Sequence, residues 1–158
     1  MRPHLLVFIL LLAGCVPAPQ GEDAPPPPYP ALSADRAQPL LALAEHVLGS
    51  HFVGDTAGMP STCLVVRPTA LTAQQEEDLV LRFTRLAPAQ RCRADGAGHV
   101  DTITGQPAQV IQLYDFACTA ATRCTGWAML PGQPATRYTM DYRDGAWAFA
   151  GDRRLIAE

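Results

Sequence analysis

The chain is 158 residues long, carries a formal net charge of −3 and is 48% hydrophobic, which suits one core-forming domain with a tail. All twelve basic residues are arginine, which excludes chemistry that needs a lysine amine: a Walker phosphate loop, a Schiff base, serine–lysine catalysis. Mild acidity without a basic block also argues against nucleic acid as a partner.

At the amino end Met1-Arg2-Pro3-His4 supplies positive charge, Leu5 to Ala13 an apolar run, and Ala13-Gly14 small residues before a cut. These are the three parts of a secretory signal. About nine apolar residues at ~1.5 Å each reach only ~14 Å, against ~30 Å of hydrocarbon. Pro17 and Pro19 then stop any helix, so a spanning anchor fails on length. The closing Leu12-Ala13-Gly14-Cys15 resembles the lipobox of bacterial lipoproteins. That resemblance implies a signal peptide over 1–14, diacylglycerol on the Cys15 sulfur, cleavage before Cys15 and acylation of the freed amine. Two acyl chains anchor stably where one does not. Membrane lipid is therefore the expected partner of Cys15, and the cell envelope the expected location. Val16, where an Asp would imply retention at the inner membrane, implies the outer membrane facing the periplasm in a Gram-negative source. Plain secretion after an ordinary cut near Ala13-Gly14 is the alternative.

Residues 15–32 form a lipidated cysteine and a linker rich in proline, with Pro25 to Pro28 in a row. At ~3.1 Å per residue in an extended polyproline conformation, this spacer holds a domain up to about 50 Å from a membrane.

A single domain over 33–158 follows. Leu40, Leu43, Ala44, Val47 and Leu48 share one helical face, with Pro39 in the first turn and Gly49 as the stop. Cys63 to Arg67 reads as a strand ended by Pro68. Thr72 and Gln75 form a capping box for a second helix striped by Leu79, Phe83 and Leu86 and ended before Pro88. Between 88 and 108 only His99 to Ile103 has strand character. Val110 to Cys118 and Cys124 to Leu130 then read as strands around a five-residue connection, with Tyr114 facing Ala128 and Phe116 facing Gly126. Tyr138 to Arg143 and Ala146 to Ala150 flank Asp144-Gly145, a two-residue hairpin signal. That turn sets Tyr142 opposite Trp147 and Met140 opposite Phe149, a strip on one face of the sheet and a predicted part of the core.

Cys63, Cys92, Cys118 and Cys124 remain once Cys15 is assigned to lipid, and an even count in an exported chain favours disulfides. Of three possible pairings, Cys63–Cys92 with Cys118–Cys124 is preferred, because the second pair flanks the hairpin connection. A four-cysteine zinc site is the alternative, but no C-x-x-C pair exists, so no metal is expected.

Other candidates have plainer readings beside the chemical one. His46 and His51, with Asp55 nearby, are spaced too far apart to share a helical face as metal ligands. His99 and Asp101 form a possible general-base pair, though no nucleophile accompanies them. Arg91-Cys92-Arg93 and Arg153-Arg154 are anion candidates or solvated surface. Glu76-Glu77-Asp78 complements a helix dipole. Tyr114, Trp127 and Tyr138 are candidates for a ligand pocket or partner surface.

The expected architecture is α+β: two N-terminal helices packed on a C-terminal antiparallel sheet of about four to five strands. The element order and closing aromatic hairpin resemble cystatin-like and nuclear-transport-factor-2-like domains, which implies helices in the concave face of a curved sheet and carries no functional residue. The expected function is a lipid-anchored envelope protein whose domain binds an envelope protein or a small apolar ligand without catalysis or cofactor. A small hydrolase using His99 or His51, and a structural spacer, are the alternatives.

Overall fold

The computed structural model describes residues 36–54, 56–96 and 98–153. The signal peptide, Cys15 and the proline-rich linker lie outside the described residues. In chain order the elements are α1 (Pro39–His51), β1 (Ser61–Arg67), α2 (Ala73–Arg82), β2 (Leu86–Ala87), β3 (Cys92–Asp95), β4 (Gly98–Asp101), β5 (Pro107–Ala120), β6 (Arg123–Met129), β7 (Thr136–Arg143) and β8 (Ala146–Asp152).

This corrects the expected α+β arrangement of two leading helices on four to five antiparallel strands. Among the described residues the fold is mostly β, with eight strands in one mixed sheet ordered β2-β1-β5-β6-β7-β8, and the β3–β4 hairpin joined to β5. β1 falls between the helices and pairs parallel with β5, Ser61 opposite Ala108 through Arg67 opposite Tyr114. The apolar run Leu64-Val65-Val66 announces a strand, but a parallel partner more than forty residues away leaves no local signal. The second helix also ends sooner than expected. Leu86 keeps the spacing of Leu79 and Phe83, yet Leu86-Ala87 pairs with Thr62-Cys63 as β2. Its capping box is present, with Thr72 Oγ1 accepting from the Gln75 amide at 3.2 Å and Gln75 Oε1 from the Thr72 amide at 3.0 Å.

Helix α1 begins with Pro39 in its first turn and runs through Gly49 to His51. An interior glycine costs only about 1 kcal/mol, less than burial of Leu48 alone contributes, so Gly49 does not stop it. Leu41, Ala42, Leu43, Ala44, Val47 and Leu48 are all buried in the core. Gly126 of β6 makes the approach possible: a Cβ there would lie 2.8 Å from Leu43 Cδ2 and 3.1 Å from Phe116 Cδ2. Glu45, buried on α1, pairs with Arg82 of α2 at 2.6 Å.

Side chains alternate along strands, so the sheet has an inner and an outer face. Inside are Leu64, Ile111, Leu113, Cys124, Ala128, Met140 and Trp147 of the core. The closing hairpin has the expected register, Tyr142 opposite Trp147 and Met140 opposite Phe149. Asp144 (φ 52°) and Gly145 (φ 81°) supply the left-handed pair that its turn requires. All four strip residues belong to the core or pack against it.

Candidate functional site

Register carries one row of side chains across five strands on the outer face: Arg67, Tyr114, Trp127, Arg137 and Asp152. The Tyr114 and Trp127 rings lie within 5° of parallel, centroids 6.1 Å apart. Both are half-buried and neither joins the core cluster. Met129 follows on the same face of β6 and is exposed. A bulge makes this pairing. Between Tyr114 opposite Trp127 and Ala117 opposite Thr125, Asp115 and Phe116 together face Gly126, and Asp115 takes φ 50°, a conformation its short polar side chain tolerates. The expected pairing of Tyr114 with Ala128 is thereby corrected by one residue, while Phe116 does lie against Gly126. The five-residue connection shortens as well, because β5 runs on to Ala120 and leaves Ala121-Thr122 as the turn.

This face is positive in an acidic chain. Arg67, Arg123, Arg137 and Arg143 project from it, against Asp141 and Asp152. Arg123 and Arg143 share Asp141 at 2.9 and 3.0 Å. The Arg123 hydrogen bond, then that of Arg143, holds the Asp141 carboxyl below its ordinary range.

Toward β1 the outer face is closed by a fastened segment. Cys63 points outward yet is fully buried, because its disulfide to Cys92 brings the segment around Cys92 over it. Beside the disulfide Asp101, wholly inaccessible, accepts from Arg91 Nε at 3.1 Å, from Arg91 Nη2, from the Ser61 hydroxyl at 2.8 Å and from the Ile103 amide at 3.0 Å. The Arg91 hydrogen bond holds the Asp101 carboxyl far below the usual carboxylate range. The Ile103 and Ser61 bonds assist it, and burial opposes it. The second disulfide, Cys118–Cys124, spans the β5–β6 hairpin. These are the two pairings preferred from sequence.

The other candidates are dispersed. Both Asp101 oxygens are committed to its clasp, so they are not directed at His99 on the same strand. His46 stacks on Phe149, centroids 4.1 Å apart, and meets Tyr138 edge-on at 5.4 Å. His51 packs edge-on against Phe52. Burial lowers the pKa of both histidines. Tyr138 lies on the inner face, away from Tyr114 and Trp127, and burial raises its pKa against the opposing charge of Arg153. Arg91 is spent on Asp101, and Arg93 is exposed on β3. Glu76 accepts from the Ala89 amide at 2.8 Å. Asp55, Arg154 and Cys15 lie outside the described residues. Among the described residues no group of three or more His, Cys, Asp or Glu is placed to hold a metal, and no helix is long and apolar enough to cross a membrane.

A groove of about 220 Å³ lies between α2 and β1, lined chiefly by Leu64, Val66, Leu71, Leu79 and Leu86. Its polar lining side chains are Glu76, tied to the Ala89 amide, and Gln90, a sparse set for orienting a small ligand. Comparison with protein families, curated proteins and solved structures finds no match.

Proposed function

We propose that the protein is a lipid-anchored binding module of the cell envelope, tethered through acylated Cys15 and its proline-rich linker, and that its contact surface is the outer sheet face around Tyr114 and Trp127. The observation that supports this reading most is the row Arg67-Tyr114-Trp127-Arg137. Tyrosine, tryptophan, methionine and arginine are the residues enriched where proteins meet. An open surface of this make-up favours a protein partner over an enclosed small ligand. Four arginines against two aspartates favour a partner whose apolar contact is bordered by carboxylates.

A photo-crosslinking residue in place of Met129, in the full chain within native membranes, should capture one discrete partner. Trp127→Ala should abolish the adduct while leaving the fold intact. Capture that survives Trp127→Ala would remove the aromatic pair from the interface. The anchor has its own test: Cys15→Ser should release the protein from membranes or block its processing. Unchanged retention and processing would overturn lipidation.

A further inference from the structure

The sheet has three ends at which a strand lacks a second neighbour among the described residues, and they are protected unequally. β2 is two residues long. β3 is four residues long and carries Arg93 and Asp95. Brevity and charge are common ways of keeping an edge from pairing. β8 has neither: it runs seven residues, Ala146-Trp147-Ala148-Phe149-Ala150-Gly151-Asp152, without charge before the last. It contains no proline, and its pairing with β7 has no bulge.

Its hydrogen-bonding pattern follows from the turn. In a hairpin closed by a two-residue loop, the flanking pair exchanges hydrogen bonds and every second residue turns its amide and carbonyl outward. Arg143 and Ala146 flank the turn, so Trp147, Phe149 and Gly151 offer their backbone groups to the open edge.

We propose that β8 is an edge for self-association, pairing antiparallel with β8 of a second copy about a two-fold axis at Phe149. This register uses all three outward residues, Phe149 with its symmetry mate and Trp147 with Gly151 twice, for roughly six backbone hydrogen bonds. Large and absent side chains then alternate across the seam, with the indole beside glycine. Charge selects the same arrangement. Asp144 sits in the turn at one end of β8 and exposed Arg153 just past the other, so antiparallel copies bring Asp144 of each beside Arg153 of its mate. A self-complementary patch of this kind closes as a dimer. The proposal does not depend on the anchor or on the outer-face partner.

Directly opposed non-hydrogen-bonded residues lie ~4.5 Å apart at Cα, within disulfide reach, and here they are Ala148 and Ala150 of opposite copies. Co-expression of full chains bearing Ala148→Cys and Ala150→Cys, one of them tagged, should give a mixed disulfide at twice the chain mass on a non-reducing gel. Co-expression of Ala146→Cys with Ala148→Cys chains, out of register, should not. In sedimentation equilibrium of the detergent-solubilised full chain, Asp144→Asn keeps the turn and removes two exposed ion pairs. It should raise the dimer Kd roughly fivefold at low salt and have no effect in ~1 M salt. A monomer at every concentration, equal cross-linking in the control pair, or a cross-link to a chain of another mass would overturn the second copy as the occupant of this edge.

Discussion

Trp127 and Trp147 stand two strands apart on one sheet and face opposite ways. Trp147 on β8 is 8% exposed and packs in the core beside Tyr142, their ring centroids 5.3 Å apart. Trp127 on β6 is half-buried, lies parallel to Tyr114 and flanks Arg137 on a face outside the core cluster. Residue type does not separate the two roles. Parity along the strand does, together with what the neighbouring strands place on each side. The inner face is closed by α1, and the outer face retains half-buried aromatic surface outside the core cluster.

The contrast breaks most visibly at Trp147. Trp147→Ala should cost about 3–5 kcal/mol in urea unfolding, and a loss under ~1 kcal/mol would mean that the strip is not core. Asp101→Asn should rank next at neutral pH, because it undoes the clasp over Cys63. Folded Asp101 stays charged far below the range in which the unfolded chain takes up its proton. The stabilisation is therefore present above about pH 4 and is lost as pH falls below it. Unfolding midpoints of the two proteins should converge in acid, and a constant gap would contradict that linkage. Gly126→Ala should cost about 1–3 kcal/mol, since a Cβ there, 2.8 Å from Leu43 Cδ2 and 3.1 Å from Phe116 Cδ2, forces fully buried Leu43 to shift. Trp127→Ala should cost the least, about 1 kcal/mol for the lost ring pairing, and should be felt in partner capture instead. A loss as large as that of Trp147→Ala would erase the distinction between the faces.

What could be read from sequence was local. Asp144-Gly145 specifies a turn by its backbone conformation, and everything in the β7–β8 register follows from it. Thr72 with Gln75 announces a helix start through two reciprocal hydrogen bonds. The Cys118–Cys124 pairing follows from a short hairpin. What was missed depends on distant partners. Leu86 prolongs a helical stripe in spacing but is drawn into the sheet by β1, and no pattern in Ser61 to Arg67 names β5 as its neighbour. Tyr114 and Trp127 were legible as candidates but not as a pair, because one left-handed aspartate shifts the register between them. Asp101 was visible as an acid. That it would be buried against Arg91 depends on a hairpin, β3–β4, of which the sequence shows strand character only around His99 to Ile103; its partner, Cys92–Asp95, is too short and polar to announce itself.

The parallel seam between β1 and β5 sets an order of events for a chain that emerges amino end first. When β1 and α1 have left the ribosome or a translocation pore, the surface that will cover them has yet to be synthesised or exported. Some forty residues must follow before β5 offers β1 its main neighbour, and Gly126, which seats Leu43, comes later still. Contacts this far apart form slowly, and greasy segments that wait for them invite aggregation. A holding chaperone would matter most for this protein during that interval, and its footprint would fall on α1.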